Sequence, residues 1–375
     1  MGGYSARQGV ATGTHDPLQA TVLVLESGGR KLAFVTADLR SFVSTRVGEE
    51  ASRRFGVTST IISVSHTHSG PLTWELRSPW YREAEDKMVD AIGKAVNALS
   101  PARLGAATGT VYLGFNRRKV ENGVGTMWWR NSEKRPSHPV DPEVTILTAT
   151  KLDGSLIAVV VNYACHPSIL GPDNLEYSAD YPGAMRRAIE SQMPGALSLF
   201  VQGGAGDTNP YRDKEPVPGG FAAAKESGEQ LARVVVNLAK KTRPVAGLIR
   251  VAGEVTQVDD RWTPGAKIAI GWTAGVIGDG AFCFVALPGE PFVEHQLTFR
   301  EKSECRTAMM FGYSYSTGGV WAGYIPTIRA AVEGGYGADS NTTVGVGTGE
   351  MLVDRAVIRI FELRGMLKEL PDANW

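Results

Sequence analysis

Apolar residues in this chain come in short β-branched blocks separated by longer stretches of helical spacing. Thr21–Glu26, Lys31–Thr36, Thr60–Ser65, Val144–Thr150, Ile157–Tyr163, Leu197–Gln202 and Phe282–Leu287 are too short for helices and too continuous for half-exposed strands. They predict strands buried on both faces. Tyr81–Leu99 repeats apolar residues at Met88, Ile92, Val96 and Leu99, one helix face, and ends at Ser100-Pro101. Tyr181–Met193 carries proline at its second position and halts before Pro194-Gly195. Phe221–Ala239 and Val353–Leu367 complete the predicted helices. Strands and helices mix without strict alternation, which predicts an α/β fold with a mixed β-sheet core flanked by helices. Residues 116–140 show no clear period and predict a long loop on the substrate side. No linker-like shift in composition divides residues 1–375, so a single catalytic domain is expected.

Polar residues fall at the strand ends. The block ending at Ser65 runs into His66-Thr67-His68-Ser69-Gly70-Pro71, and the block ending at Tyr163 into Ala164-Cys165-His166-Pro167. Leu197–Gln202 leads to Gly203-Gly204-Ala205-Gly206-Asp207-Thr208-Asn209-Pro210, and Phe282–Leu287 to Pro288-Gly289-Glu290-Pro291. Carboxyl ends of strands are where open α/β sheets gather ligands. His66 and His68 share one face of an extended chain. Either of them, with His166 and Glu290, makes an N,N,O donor set that suits a catalytic zinc. The competing reading is a hydrogen-bonded pair of strand-end histidines. The glycine-rich loop has two readings as well: backbone N–H groups facing an oxyanion, or a plain strand-to-helix crossover. Asp207 reads either as a carboxylate holding a histidine or as a turn residue.

Composition narrows the function. Lys+Arg 39 balances Asp+Glu 39, so the basic excess of a phosphate-neutralising nucleic-acid binder is missing. No apolar run reaches membrane-spanning length, and MGGYSARQGV lacks the layout of a signal peptide. Three cysteines, Cys165, Cys283 and Cys305, argue against a disulfide framework. Together these lean towards the cytoplasm, or towards secretion if a signal peptide has been trimmed. A GxSxG elbow, a Walker lysine and HExxH are absent. Cys165 and His166 are neighbours that face opposite ways on a strand, so they do not form a dyad.

Seven segments, in order, resemble the catalytic domain of the neutral/alkaline (non-lysosomal) ceramidases, zinc amidohydrolases that cleave the N-acyl bond of ceramide. They are GGYSARQGVATGTHDPLQATVLVLE, AFVTADL, SHTHSGP, GFNRR, NYACHP, ALPGE and GYIPTIRAAVEGGYGA. The resemblance implies Zn2+ held by His66, His166, Glu290 and Tyr324. It implies that His68, Arg117 and Tyr336 surround the amide of a small-molecule or lipid substrate, with the Gly3 backbone nearby. Two departures stand out. The family's Gly-Asp-Val-Ser-Pro-Asn motif reads GDTNP here, with Asn209 on the serine position and Thr208 on the valine. A serine mechanism would need Thr208 to act from the neighbouring position, whereas Asn209 can donate to an oxyanion. The family's C-terminal immunoglobulin-like domain is expected to be absent from a chain ending at Trp375. The expected function is hydrolysis of an N-acyl amide by zinc-activated water. The alternatives are a same-fold hydrolase of another amide or ester, or a non-catalytic metal- or lipid-binding relative.

Overall fold

The computed structural model describes residues 1–74 and 78–367. Three mixed sheets turn one face each towards a common core. The first orders strands Ala20–Ser27, Arg30–Ala37, Ser59–Val64 and Ser314–Tyr315. The second orders Leu197–Gln202, Leu156–Tyr163, Glu143–Lys151, Ala102–Thr110 and Arg243–Val245. The third orders Ile249–Asp259, Lys267–Ile277, Phe282–Ala286 and Ala308–Phe311. Each sheet holds one parallel pair among antiparallel neighbours: Arg30–Ala37 with Ser59–Val64, Leu156–Tyr163 with Leu197–Gln202, and Phe282–Ala286 with Ala308–Phe311.

The strand period of two explains why these strands read as unbroken apolar runs. In Leu156–Tyr163, Ala158 and Val160 enter the central core, whereas Val159, Val161 and Tyr163 face helices α3 (Asp180–Gln192) and α4 (Gly219–Ala239). In Arg30–Ala37, Leu32 and Phe34 face inward, and Ala33, Val35 and Ala37 face α1 (Thr45–Phe55) and α2 (Pro79–Asn97). In the third sheet Phe282, Phe284 and Ala286 face inward, while Cys283 and Val285 face α5 (Val293–Lys302) and α7 (Thr348–Leu363). Both faces are therefore dry, and the site is left to the strand ends.

The predicted strands and helices are all present, with ends shifted by a few residues; the last helix starts earlier, at Thr348, and stops at Leu363. Missing from the sequence reading were α1, α5 and the short α6 (Ile328–Glu333). Helix α1 buries only Val47 and Ala51, too few for a visible stripe, and is set by its caps: Ser44 Oγ accepts from Val47 N at 3.3 Å, and Gly56 closes the helix at φ 66°. The long strands Ile249–Asp259 and Lys267–Ile277 were also unforeseen, because the first leaves most of its length partly exposed.

Two expectations are corrected. Residues 116–140 are not wholly irregular: Arg118–Glu121 and Val124–Met127 form a hairpin through Asn122-Gly123, a turn pair suited to positive φ. Three cysteines forecast no disulfide framework, yet one bridge joins Cys283 to Cys305, whose Cα atoms lie 6.1 Å apart. Cys165 stays free and buried. Among the described residues no helix is long and apolar enough to cross a membrane.

Candidate metal and active site

One strand end from each sheet supplies a donor to a single buried cluster. His66 follows Ser59–Val64, His166 follows Leu156–Tyr163, and Glu290 follows Phe282–Ala286. His66, His68 and His166 each offer one ring nitrogen, all within 4.8 Å of one another. Glu290 Oε2 lies 3.2 Å from His166 Nε2 and 3.3 Å from His66 Nε2.

Two of the imidazoles are held in one tautomer. His66 Nδ1 donates to the Arg40 carbonyl at 2.6 Å, and His166 Nδ1 to the Ala205 carbonyl at 2.6 Å. A neutral ring that donates through Nδ1 presents a lone pair at Nε2. Two such lone pairs therefore converge on a carboxylate oxygen, itself an acceptor, in a site where His66 and His166 are 1% exposed and Glu290 3%. The cluster holds together only if a proton or a cation lies between these atoms. Burial foremost pulls the His166 pKa down to about 4, so the His166 ring does not supply that proton at neutral pH. The donor set thus fits a divalent cation such as zinc, and the backbone carbonyls supply the outer support such ligands require. His66 accepts a positive φ of 67° to reach this position, an uncommon conformation for a residue with a side chain.

His68 differs. Both of its ring nitrogens are buried without a hydrogen-bond partner. Burial, then the neighbouring His66 and His166, holds its pKa well below the ordinary value, so it is neutral. The N-terminal segment packs against it. Gly2 N donates to the Gly70 carbonyl at 2.9 Å, and the Tyr4 ring lies 4.8 Å from the His68 ring. Gly3 sits at φ 114°, where a Cβ would lie 2.4 Å from the His68 carbonyl oxygen, so only glycine fits.

Tyr324 comes beside Glu290 through a two-residue parallel pairing, with Glu290 opposite Tyr324 and Pro291 opposite Ile325. Its hydroxyl accepts from Arg117 Nη2 at 3.0 Å. Arg117 is buried, bonds through Nη2 to the Gly206 carbonyl at 2.6 Å, and bonds through Nη1 to Asn209 Oδ1 at 3.0 Å. Its guanidinium lies over three rings, Tyr324 and Tyr336 at 5.4 Å and Trp129 at 5.6 Å. Asn209 Nδ2 donates to Asp213 Oδ2 at 3.1 Å, so its amide is engaged at both ends.

The glycine-rich loop leads not into a helix but into the short strand Thr208–Pro210, which pairs antiparallel with Gly114–Asn116. Three of its amides are used internally: Gly203 N bonds Tyr163 O at 3.0 Å, Gly204 N bonds Gln296 Oε1 at 2.8 Å, and Gly206 N bonds Pro291 O at 2.9 Å. Small residues are needed because the Glu290 loop packs directly on it; a Cβ at Gly206 would lie 2.4 Å from the Glu290 carbonyl. Asp207 holds no histidine. It accepts from Val293 N at 2.9 Å, at the start of α5, and from Asn116 Nδ2 at 2.7 Å, which fixes the residue before Arg117. Burial raises the Asp207 pKa to about 6. Thr208 lies on the opposite face of its strand from Asn209; its methyl lies 3.2 Å from where a Gly114 Cβ would stand, and its hydroxyl is buried without a partner. Tyr313 was not anticipated: its hydroxyl lies 3.5 Å from Glu290 Oε2 and its ring 4.5 Å from that of His66. Asp213 and Trp129 were missed too. Nothing in their spacing marks them: Asp213 meets Asn209 and Trp129 meets Arg117 only through the way their loops turn.

This three-sheet arrangement is shared with solved structures. The chain matches the crystal structure of neutral ceramidase from Pseudomonas aeruginosa with a TM-score of 0.76 and 18% identity, over 96% of this chain and 71% of that one. The chain has the neutral ceramidase fold. A structure described as ceramidase complexed with C2 matches with a TM-score of 0.77 and 16% identity, over 100% of this chain and 76% of the other. No family model matches the sequence. Within the ceramidase fold, the cluster occupies the end of the central core where the three parallel pairs terminate.

Proposed function

We propose that this protein hydrolyses an N-acyl amide bond, of the ceramide type, with zinc held by His66, His166, Glu290 and Tyr324. The observation that carries the reading is the pair of imidazoles pinned through Nδ1 so that both Nε2 lone pairs meet one buried carboxylate oxygen. Zinc bound there would supply a Lewis acid and lower the pKa of water towards about 7. His68, neutral and without an anchoring hydrogen bond, suits the proton carrier, taking a proton from the attacking water and passing it to the leaving amine. Arg117 and Tyr336 face the scissile carbonyl as donors to its developing negative charge. Asn209 provides no nucleophilic oxygen, and the Thr208 hydroxyl lies on the other face, so direct attack by water is favoured over an acylated side chain. Asp207 and Asn209 serve by fixing Arg117. The Gly3 backbone, against His68, borders the substrate. The Cys283–Cys305 bridge favours an oxidising compartment over the cytoplasmic one expected from composition.

The test is elemental analysis of the purified protein together with hydrolysis of N-acyl amides before and after chelation. About one zinc per chain, activity lost with chelator and restored by zinc, is the expected result. Full activity in metal-free protein would overturn the proposal.

A further inference from the structure

Tyr313 stands at the join between two strand ends that carry donors. Its N–H donates at 2.8 Å to the carbonyl of Gly289, the residue before Glu290, and its carbonyl accepts at 3.0 Å from Val64 N, two residues before His66. With both bonds made, its backbone lies at φ 54°, the same uncommon region that His66 occupies at φ 67°. Glycine takes such a backbone freely, whereas a bulky side chain is strained in it. The conformation turns the tyrosine into the cluster. Its ring lies 4.5 Å from that of His66 and 6.0 Å, at right angles, from that of His166.

The side chain is fully buried, and among the described residues its hydroxyl reaches one acceptor, Glu290 Oε2 at 3.5 Å. Phenylalanine would fill the same space; only the hydroxyl calls for the carboxylate, since a buried O–H without an acceptor is unfavourable. Around that oxygen, His66 and His166 present lone pairs, because their ring protons are spent on backbone carbonyls. Tyr313 alone brings a hydrogen of its own. Tyr324 is placed the other way round: its hydroxyl accepts from Arg117 Nη2 at 3.0 Å, and a cation beside a phenol oxygen favours the form that can bind a metal.

From this geometry we infer that Tyr313 is a positioning residue of the metal carboxylate: its hydroxyl donates to Glu290 Oε2 and fixes that oxygen between the two Nε2 atoms. The inference rests on the metal-dependent reading and gives the two phenols different tasks, Tyr324 as a ligand and Tyr313 as the donor that holds one. Removing a group that orients a ligand from behind typically costs roughly 10- to 100-fold in metal affinity.

The test is zinc affinity, measured on the metal-free full chain by competition with a chromophoric chelator, for wild type, Tyr313→Phe and Tyr315→Phe. Tyr313→Phe keeps the ring, and circular dichroism of the metal-free protein checks that the fold is kept. Tyr315, whose hydroxyl bonds the Gly319 carbonyl at 3.1 Å, controls for the loss of any hydroxyl on the same segment. Tyr313→Phe is expected to bind zinc roughly 10- to 100-fold more weakly, and Tyr315→Phe as tightly as wild type. At saturating zinc, hydrolysis of N-lauroylsphingosine by Tyr313→Phe should show a lower kcat with KM within about twofold of wild type, because the hydroxyl acts through Glu290 and not on the substrate. Equal zinc affinity in Tyr313→Phe and wild type overturns the inference. So does an equal weakening in Tyr315→Phe, which would mean general loosening, or a raised KM with kcat unchanged, which would put the hydroxyl on the substrate. A wild type that binds no zinc removes the metal reading and this inference together. A chain that binds zinc, binds it more weakly as Tyr313→Phe and hydrolyses no amide loses the amidase reading alone, and the role of Tyr313 stands.

Discussion

Truncating Asn209 separates two roles that a sequence cannot distinguish. In Asn209→Ala, Arg117 Nη1 loses its partner at 3.0 Å and Asp213 Oδ2 loses one at 3.1 Å. All three residues are buried, so water does not replace the lost bonds. A hydrogen bond to a charged group contributes ~1.5–3 kcal/mol. Arg117 keeps the Gly206 carbonyl and the Tyr324 hydroxyl, and Asp213 keeps Ser168 and Lys214. The low end of that range therefore applies to each bond, for a total near ~3 kcal/mol. The expected outcome is a loss of about that size in urea unfolding, with kcat/KM for an N-acyl amide down roughly 10- to 100-fold as Arg117 loosens from Tyr324. Asn209→Asp supplies an internal check. It keeps an acceptor for Arg117 but sets a carboxylate oxygen against Asp213, so its stability should recover as the pH falls enough for the pair to share a proton. An Asn209→Ala protein as stable as wild type, within ~0.5 kcal/mol, but 100-fold slower would refute this reasoning and make Asn209 a direct oxyanion donor.

Glu290→Gln removes the only carboxylate in the proposed metal set and should leave less than about a tenth of an equivalent of zinc after dialysis, with hydrolysis abolished; a fully loaded, active Gln protein would contradict the assignment. Replacing both Cys283 and Cys305 by alanine opens a loop with a sequence separation of 22. That should cost about 3 kcal/mol of stability, and unchanged thermal unfolding would show that the bridge does not form in solution. Burial foremost raises the Asp180 pKa to about 7, against about 3.9 in an unfolded chain. Between those values the folded state binds more protons, so this group lowers stability as pH rises from about 4 to 7, by up to ~4 kcal/mol in total, and adds no further change beyond. Asp180→Asn should flatten that slope in urea midpoints taken at pH 5 and pH 8; an equally steep fall in the variant would place the titration elsewhere.

Much of the architecture was legible in the chain because the core strands are buried on both faces. Val159, Val161, Ala158 and Val160 all had to be apolar, whichever side they face. The same dryness pushes polar side chains to the strand ends, which is why His66, His166 and Glu290 stood out before any contact was known. Elements with one wet face were harder to see. Helix α1, with Val47 and Ala51 alone buried, and strand Ile249–Asp259 carry too weak a pattern.

The tertiary structure decided how those ends combine. His166 and Glu290 are 124 residues apart, and Arg117 and Tyr324 are 207 apart. No local period encodes such meetings; they follow from three sheets packing their inner faces on one core. Packing likewise turned the Asn209 amide towards Arg117 and Asp213, put Thr208 on the far face, tied the Gly206 amide to the Pro291 carbonyl, and brought Tyr313 onto the carboxylate. Residue types follow from what water and apolar contact demand locally. The partner of each buried polar group follows only from which segments exclude water together.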